Sequence, residues 1–252
     1  MEEYKKRLSV MLAETGALFF DKDLILKDGR PTPYFVNLGK LNTGRLFLEI
    51  GSFFAEMLVS TSLVDKIDII VGPSYKGSAI ASATAAALFH YHGHDFLFDY
   101  DRKEPKKHGE RSSSATLFVN GTFFNACRVF IVDDVITSMD TKYEIVEKIV
   151  RESHFHGFNC AITGLGIAVD REQTTVAYDK EGNIILDKKG SNPIAEFTSR
   201  TDIPFFSVAS IREIVAYLYN NEIPLFISGE KRAIDITTKK EFDKYMETYG
   251  RE

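Results

Sequence analysis

Asp133 and Asp134 stand side by side at the end of an apolar run. Carboxylates accept hydrogen bonds from sugar hydroxyls and offset positive charge that develops on a ring. The next residues, Val135 to Thr141, supply hydroxyls and backbone amides ahead of a helical pattern, and free N–H groups at a turn and helix start hold phosphate. Acids for hydroxyls and amides for phosphate together suggest a phosphorylated sugar. The alternative is a strand ending in solvated aspartates that cap the following helix.

The elements that must position these groups are legible around them. Val129 to Val132 follow Arg128 with no alternating polar face and are too short a run for a helix, which predicts a strand buried on both sides in a parallel sheet. At the carboxyl end of such a strand, open α/β sheets bind ligands, and the pleat sends one aspartate more directly into the crevice than the other. A helix is expected from about Met139 to Glu152 with Ile145, Val146, Ile149 and Val150 on its apolar side.

Earlier in the chain the pattern predicts a helix over 3–14, two short strands within 17–27 broken by Asp21-Lys22-Asp23, a turn at 28–31 and a strand over 34–37. These small strands read as a hood over the active end of the sheet. A helix over 45–60, a strand over 67–71, a turn at Pro73 to Gly77, an alanine-rich helix over 78–91 and a strand over 95–100 make a βαβ series. Later come a strand region over 157–169 running into Asp170-Arg171, a hairpin turn at 180–183, a short strand over 205–207 and helices over 211–219 and 238–249, the last anchored by Phe242 and Tyr245. The expected architecture is α/β: a doubly wound, mostly parallel central sheet flanked by helices. It is expected as a single domain over 1–252, with the hood contributed mainly by 15–38 and later peripheral segments.

Residues 101–114 have neither a helical nor a strand period and carry Arg102, Lys103, Lys106, Lys107, Arg111 and His108. A connection of that length reads as a functional mobile loop, or else as a solvated surface loop. The apolar fraction of 44% and charged fraction of 27% are those of a globular chain, and a net charge of -5 argues against a nonspecific nucleic-acid binder. No run reaches bilayer-spanning length, and the amino terminus lacks a secretory pattern, so no membrane association and a cytoplasmic location are expected. Asn120-Gly121-Thr122 then reads as a turn rather than a glycosylation site. Cys127 and Cys160 are distant in sequence and lie in apolar, strand-like surroundings, so free buried thiols are expected, without structural or redox pairing. His90, His92 and His94 alternate at a helix-to-strand boundary without a supporting cysteine and read as surface or packing residues. Neither a Gly-x-Gly-x-x-Gly fingerprint nor a Gly-x-Ser-x-Gly elbow occurs, which leaves dehydrogenase and serine hydrolase chemistry without support.

Taken together and in order, Lys27-Asp-Gly-Arg-Pro-Thr-Pro-Tyr-Phe35, Gly72-Pro-Ser-Tyr-Lys-Gly77, Arg102 to Glu110 and Val132-Asp-Asp-Val-Ile-Thr137 resemble the orotate phosphoribosyltransferases, of type I phosphoribosyltransferase fold. The resemblance covers essentially the whole chain. It implies Mg2+-dependent transfer of ribose 5-phosphate from phosphoribosyl pyrophosphate to orotate, giving orotidine 5'-monophosphate and pyrophosphate, in a homodimer whose basic loop is shared across subunits. By that resemblance Asp133 and Asp134 hold the ribose hydroxyls, and the turn of Thr137, Ser138, Met139, Asp140 and Thr141 holds the 5-phosphate. Tyr75 and Lys76 face the pyrophosphate. Arg102, Lys103, Lys106 and His108 belong to the catalytic loop, with Lys103 and Lys106 foremost. Lys27, Tyr34 and Phe35 resemble the base-side wall, and Arg171 the residue that grips the orotate carboxylate. The metal is expected through substrate and water, with no direct protein ligand assigned. A strained or cis linkage before Tyr75 is also implied.

The resemblance has departures. Where the family turn commonly reads Thr-Ala-Gly-Thr-Ala, this chain has Thr137-Ser-Met-Asp-Thr141. Met139 then needs a backbone geometry a side chain tolerates, and Asp140 opposes a phosphate unless it points away or caps the helix. Arg111 stands where the loop often has glycine. The competing expectations are a phosphoribosyltransferase for another base and a noncatalytic regulatory protein that keeps the fold.

Overall fold

The computed structural model describes residues 1–103, 117–136 and 139–251. In chain order it contains α1 (Glu3–Glu14), β1 (Leu18–Ile25), β2 (Pro31–Val36), α2 (Gly44–Ser60), β3 (Ile69–Gly72), α3 (Lys76–His92), β4 (Leu97–Tyr100), β5 (Arg128–Val135) and α4 (Asp140–His156). There follow β6 (Ala161–Asp170), β7 (Val176–Tyr178), β8 (Ile184–Lys189), α5 (Pro193–Thr201), β9 (Phe205–Ser210), α6 (Ile211–Asn220), β10 (Leu225–Ile227), β11 (Glu230–Arg232) and α7 (Ile236–Tyr249).

A five-stranded sheet of order β4-β3-β5-β6-β9, parallel throughout, forms the centre. Its order reverses between β3 and β5, the switch point of a doubly wound sheet, where the carboxyl ends of neighbouring strands open a crevice. The expected double burial of β5 holds, and the strand is longer than the apolar run suggests. Pairing of Asp133 with Ile167 and Val135 with Val169 carries it through both aspartates. Alternation then sorts its side chains. Phe130 and Val132 pack with α2, α3 and Ile70 on one face, while Val129 and Ile131 pack with Ile145, Ile149 and Phe197 on the other.

The hood is a second sheet of order β11-β10-β1-β2. Its β1 is one strand, not the two expected, because a bulge between Phe20 and Leu24 absorbs the polar Asp21-Lys22-Asp23 stretch and puts Asp23 at φ 62°. The strands β10 and β11, which the sequence pattern did not reveal, complete this sheet from late in the chain; β10 lies parallel to β1. Helix α7 covers it with Phe242 and Tyr245, both buried as expected. On α4, Ile145 and Ile149 are buried, but Val150 is exposed, since the stripe it would extend turns away from the sheet. The β7–β8 hairpin turns at 179–183 as expected.

Candidate active site

The two aspartates occupy different environments, and the pleat of β5 is the reason. Asp134 follows the parity of Phe130 and Val132 and faces the start of α3, where its carboxylate meets the Lys76 ammonium at 3.0 Å. Asp133 follows Val129 and Ile131 toward the start of α4 and meets Lys142 at 2.6 Å. Its other oxygen accepts the Asp134 N–H at 2.8 Å. Burial pushes the Asp133 carboxyl above the ordinary range; the Lys142 charge opposes that shift and the Asp134 charge adds to it.

The turn between β3 and α3 brings Lys76 to this place. Helix α3 begins at Lys76, two residues earlier than the pattern implies. That tight entry depends on glycine, because a Cβ on Gly72 would stand 1.9 Å from the Gly77 carbonyl oxygen and one on Gly77 would stand 2.5 Å from Pro73 Cδ. The Ser74–Tyr75 peptide is cis, as the resemblance implied. Buried Asp101 accepts the Ser74 N–H at 2.6 Å and pairs with Lys148 of α4, so the turn is tied to the root of the basic loop. Exposed Tyr75 carries the Lys103 ammonium 3.7 Å over its ring centre.

Arg102 serves the stem of that loop. Its guanidinium donates to the carbonyls of Phe118 and Val119 at 3.2 and 3.3 Å, clamping the two ends where Asp101 bridges Phe118. Lys106 and His108, like Thr137 and Ser138, lie outside the described residues. Met139 takes an ordinary right-handed conformation, φ -85° and ψ 0°, with its side chain buried against the α4 face of the sheet, so no glycine is needed there. Asp140 opens α4, where the amide dipoles favour a negative charge.

On the other side of the crevice is a cavity of about 190 Å³ lined by Leu26, Lys27, Asp28, Arg30, Asp140, Arg171 and Gln173. Arg171 follows directly on β6 and is buried, its guanidinium carbon 5.4 Å over the Tyr34 ring. Its Nε and Nη2 have no hydrogen-bond partner among the described residues. Buried N–H groups on a permanent cation call for an acceptor, and a planar carboxylate suits a guanidinium. Tyr34 does not line this cavity; it is wholly buried beneath Arg171 against Phe20, Phe242 and Tyr245, with its hydroxyl accepting from Gln173 at 2.8 Å. Burial pushes the Tyr34 phenol up to about 12 against the opposing Arg171 charge. Phe35, opposite in parity, packs on Phe19 instead. Thr141 sits on the first turn of α4, with its hydroxyl 3.3 Å from the Lys142 ammonium.

Sequence reasoning missed Arg30, Gln173 and Lys142. Arg30 was read as part of a turn, yet it is buried, donates to the Thr174 carbonyl at 3.0 Å and to Asp28 at 2.9 Å, and lies over Tyr249. A cation placed directly before Pro31 in a short hairpin was the available signal. Cys127 and Cys160 are free, as expected, with their sulfurs 2.9 Å apart, but Cys160 is only half-buried where a buried thiol was expected. They precede paired Arg128 and Ala161 on adjacent parallel strands, a proximity that sequence distance conceals.

No family model matches the chain. It is 31% identical to an orotate phosphoribosyltransferase of Bifidobacterium adolescentis over 97% of this chain and 96% of the relative. It is 30% identical to one of Kluyveromyces lactis over 99% of this chain and 97% of that protein. The chain belongs to the orotate phosphoribosyltransferase family. The crystal structure of a Francisella tularensis orotate phosphoribosyltransferase superimposes with a TM-score of 0.70 and 25% identity, covering 95% of this chain and 96% of that one. The type I phosphoribosyltransferase fold read from the motifs is therefore that of the molecule, and the hood and central sheet are features of an orotate phosphoribosyltransferase.

Proposed function

We propose that the chain transfers the 5-phosphoribosyl unit of phosphoribosyl pyrophosphate to orotate, releasing pyrophosphate and forming orotidine 5'-monophosphate. The observation that carries this reading is the buried Arg171 guanidinium, two of its nitrogens unpartnered among the described residues, at a cavity shared with Lys27 and with Asp140 of the α4 start. It supports a carboxylated base in preference to a purine.

In the reaction the bond from C1 of the ribose to the pyrophosphate oxygen breaks with its electrons leaving on oxygen, and a ring nitrogen of orotate forms the new bond with the pair freed as its N–H proton passes to the departing diphosphate. Positive charge grows on the ribose while the departing diphosphate gains negative charge. Asp134 accepts from ribose hydroxyls and offsets the ring charge. Lys76, half exposed, exchanges its carboxylate partner for the diphosphate, and Lys103, Lys106 and His108 of the basic loop close over the same group and exclude water. Arg171 and Lys27 orient the base. The first turn of α4, with Thr141 and the preceding residues, receives the 5-phosphate.

Asp134 offers a hard carboxylate oxygen at the crevice, which suits a Mg2+ ion bound mainly by substrate oxygens and water. When bound, that ion supplies charge neutralisation on the diphosphate. We further read the chain as a single domain acting in the cytoplasm as a homodimer, with the basic loop of one subunit serving the other. Direct measurement of orotidine 5'-monophosphate from orotate and phosphoribosyl pyrophosphate tests the proposal; selective turnover of a purine base would reject it.

A further inference from the structure

Lys142 belongs to no motif described above, and its surroundings are unusual. A lysine in the first turn of a helix opposes the amide dipoles, and burying its ammonium removes it from water. Here the side chain is only 5% exposed. All three ammonium hydrogens find acceptors: Asp133 at 2.6 Å, the Val135 carbonyl at 3.2 Å and the Thr141 hydroxyl at 3.3 Å. These acceptors lie on both sides of the link between β5 and α4, so one cation ties the end of the strand to the start of the helix. Asp133 is held as firmly, since its second oxygen accepts the Asp134 N–H. Asp134 likewise accepts a backbone N–H, that of Val135 at 2.7 Å, but its side-chain partner is Lys76, whose side chain is 52% exposed and free to swing.

We propose that Lys142 is a positioning residue for the sugar-phosphate end of the reaction. Its buried ammonium pins Asp133 as a fixed counterion and ties the end of β5 to the first turn of α4, leaving Asp134 as the acid that meets the ribose hydroxyls. The inference rests on the reaction proposed above. It divides the labour of the two adjacent carboxylates by the side of β5 each occupies.

Steady-state kinetics and calorimetric titration of phosphoribosyl pyrophosphate with Lys142→Met, Asp133→Asn/Lys142→Met and Asp134→Asn test it. Lys142→Met leaves a buried carboxylate unpaired and is expected to weaken phosphoribosyl pyrophosphate binding about tenfold or more while leaving KM for orotate unchanged. Neutralising both partners removes the uncompensated charge, so the double variant regains most of that affinity. Asp134→Asn is expected to lose turnover about a hundredfold. General structural damage would raise both KM values and would not be rescued by the second substitution. The proposal is overturned if Lys142→Met keeps wild-type affinity, or if the double variant binds as poorly as the single one. Should Lys142→Met fail to fold, a double variant as inactive as Asp134→Asn overturns it equally. A wild-type chain that binds phosphoribosyl pyrophosphate but makes no orotidine 5'-monophosphate would sink the orotate reading and leave the binding comparison standing.

Discussion

At the scale of single residues, the site is built from cations whose surroundings set their roles. Arg171 is buried with unpartnered nitrogens among the described residues, whereas Arg102 is engaged by two stem carbonyls. The first keeps buried Nε and Nη2 donors for a ligand, while the second is tied to its stem through Nε and Nη2. Truncating Arg171 to alanine should raise KM for orotate by about 10- to 100-fold, the worth of a charge-assisted hydrogen bond, with a smaller change in kcat. Orotate saturation curves measure this, and unchanged saturation would remove Arg171 from the base site. Lys103 is different again, exposed and poised over Tyr75 at the mouth of the crevice. Lys103→Ala should lower kcat by about 10²-fold with an unaltered melting curve, because no packed core depends on it. Wild-type turnover in that variant would show that its charge has no part in the chemistry.

At the scale of elements, helix starts do much of the positioning, and each is held in its own way. Helix α3 is set by Gly72 and Gly77, α4 is braced by Lys142, and α7 is capped by Asp235, which accepts the Thr238 N–H at 2.7 Å. That backbone hydrogen bond, with help from Arg232, holds the Asp235 carboxyl down at about 2, below its ordinary 3.8. A depressed carboxylate contributes stability that is fully present above its unfolded value and is lost as pH falls through the folded one. Asp235→Ala should therefore lower the denaturation midpoint at neutral pH, with the gap to wild type closing between about 4 and about 2. Melts recorded across that range check the sign; a gap that stayed constant would mean the ionised cap is irrelevant. Element boundaries in this chain were readable wherever periodicity was strong, as in α2 and α6. They shifted where polar residues sat inside a strand, as with Asp21 to Asp23 in β1 and the acid pair in β5, because sheet pairing overrides local composition.

At the scale of the molecule, one apolar cluster runs from Leu18, Phe20 and Tyr34 of the hood through α2 and α3 to Ile70 and Phe130 of the central sheet. The hood is thus continuous with the core that fixes the crevice, and Arg171 rests on its aromatic underside. Phe242, only 2% exposed, joins α7 to Phe20 and Tyr34. Phe242→Ala should cost about 3–5 kcal/mol in a denaturant titration, the range for emptying a buried aromatic site; a loss below 1 kcal/mol would mean the hood packs independently of α7. The amino-acid sequence alone determined the α/β class, the order of the main strands and helices, the acid pair, the turn after β3 and the family, because these are local runs and motifs whose residue types suffice. Only the tertiary structure decided that Asp133 turns to Lys142 and Asp134 to Lys76, that β10 and β11 close the hood, that Tyr34 lies beneath Arg171 and not in its cavity, and that two distant cysteines touch. Each of those depends on strand register and sheet order, which bring together residues that no spacing along the chain relates.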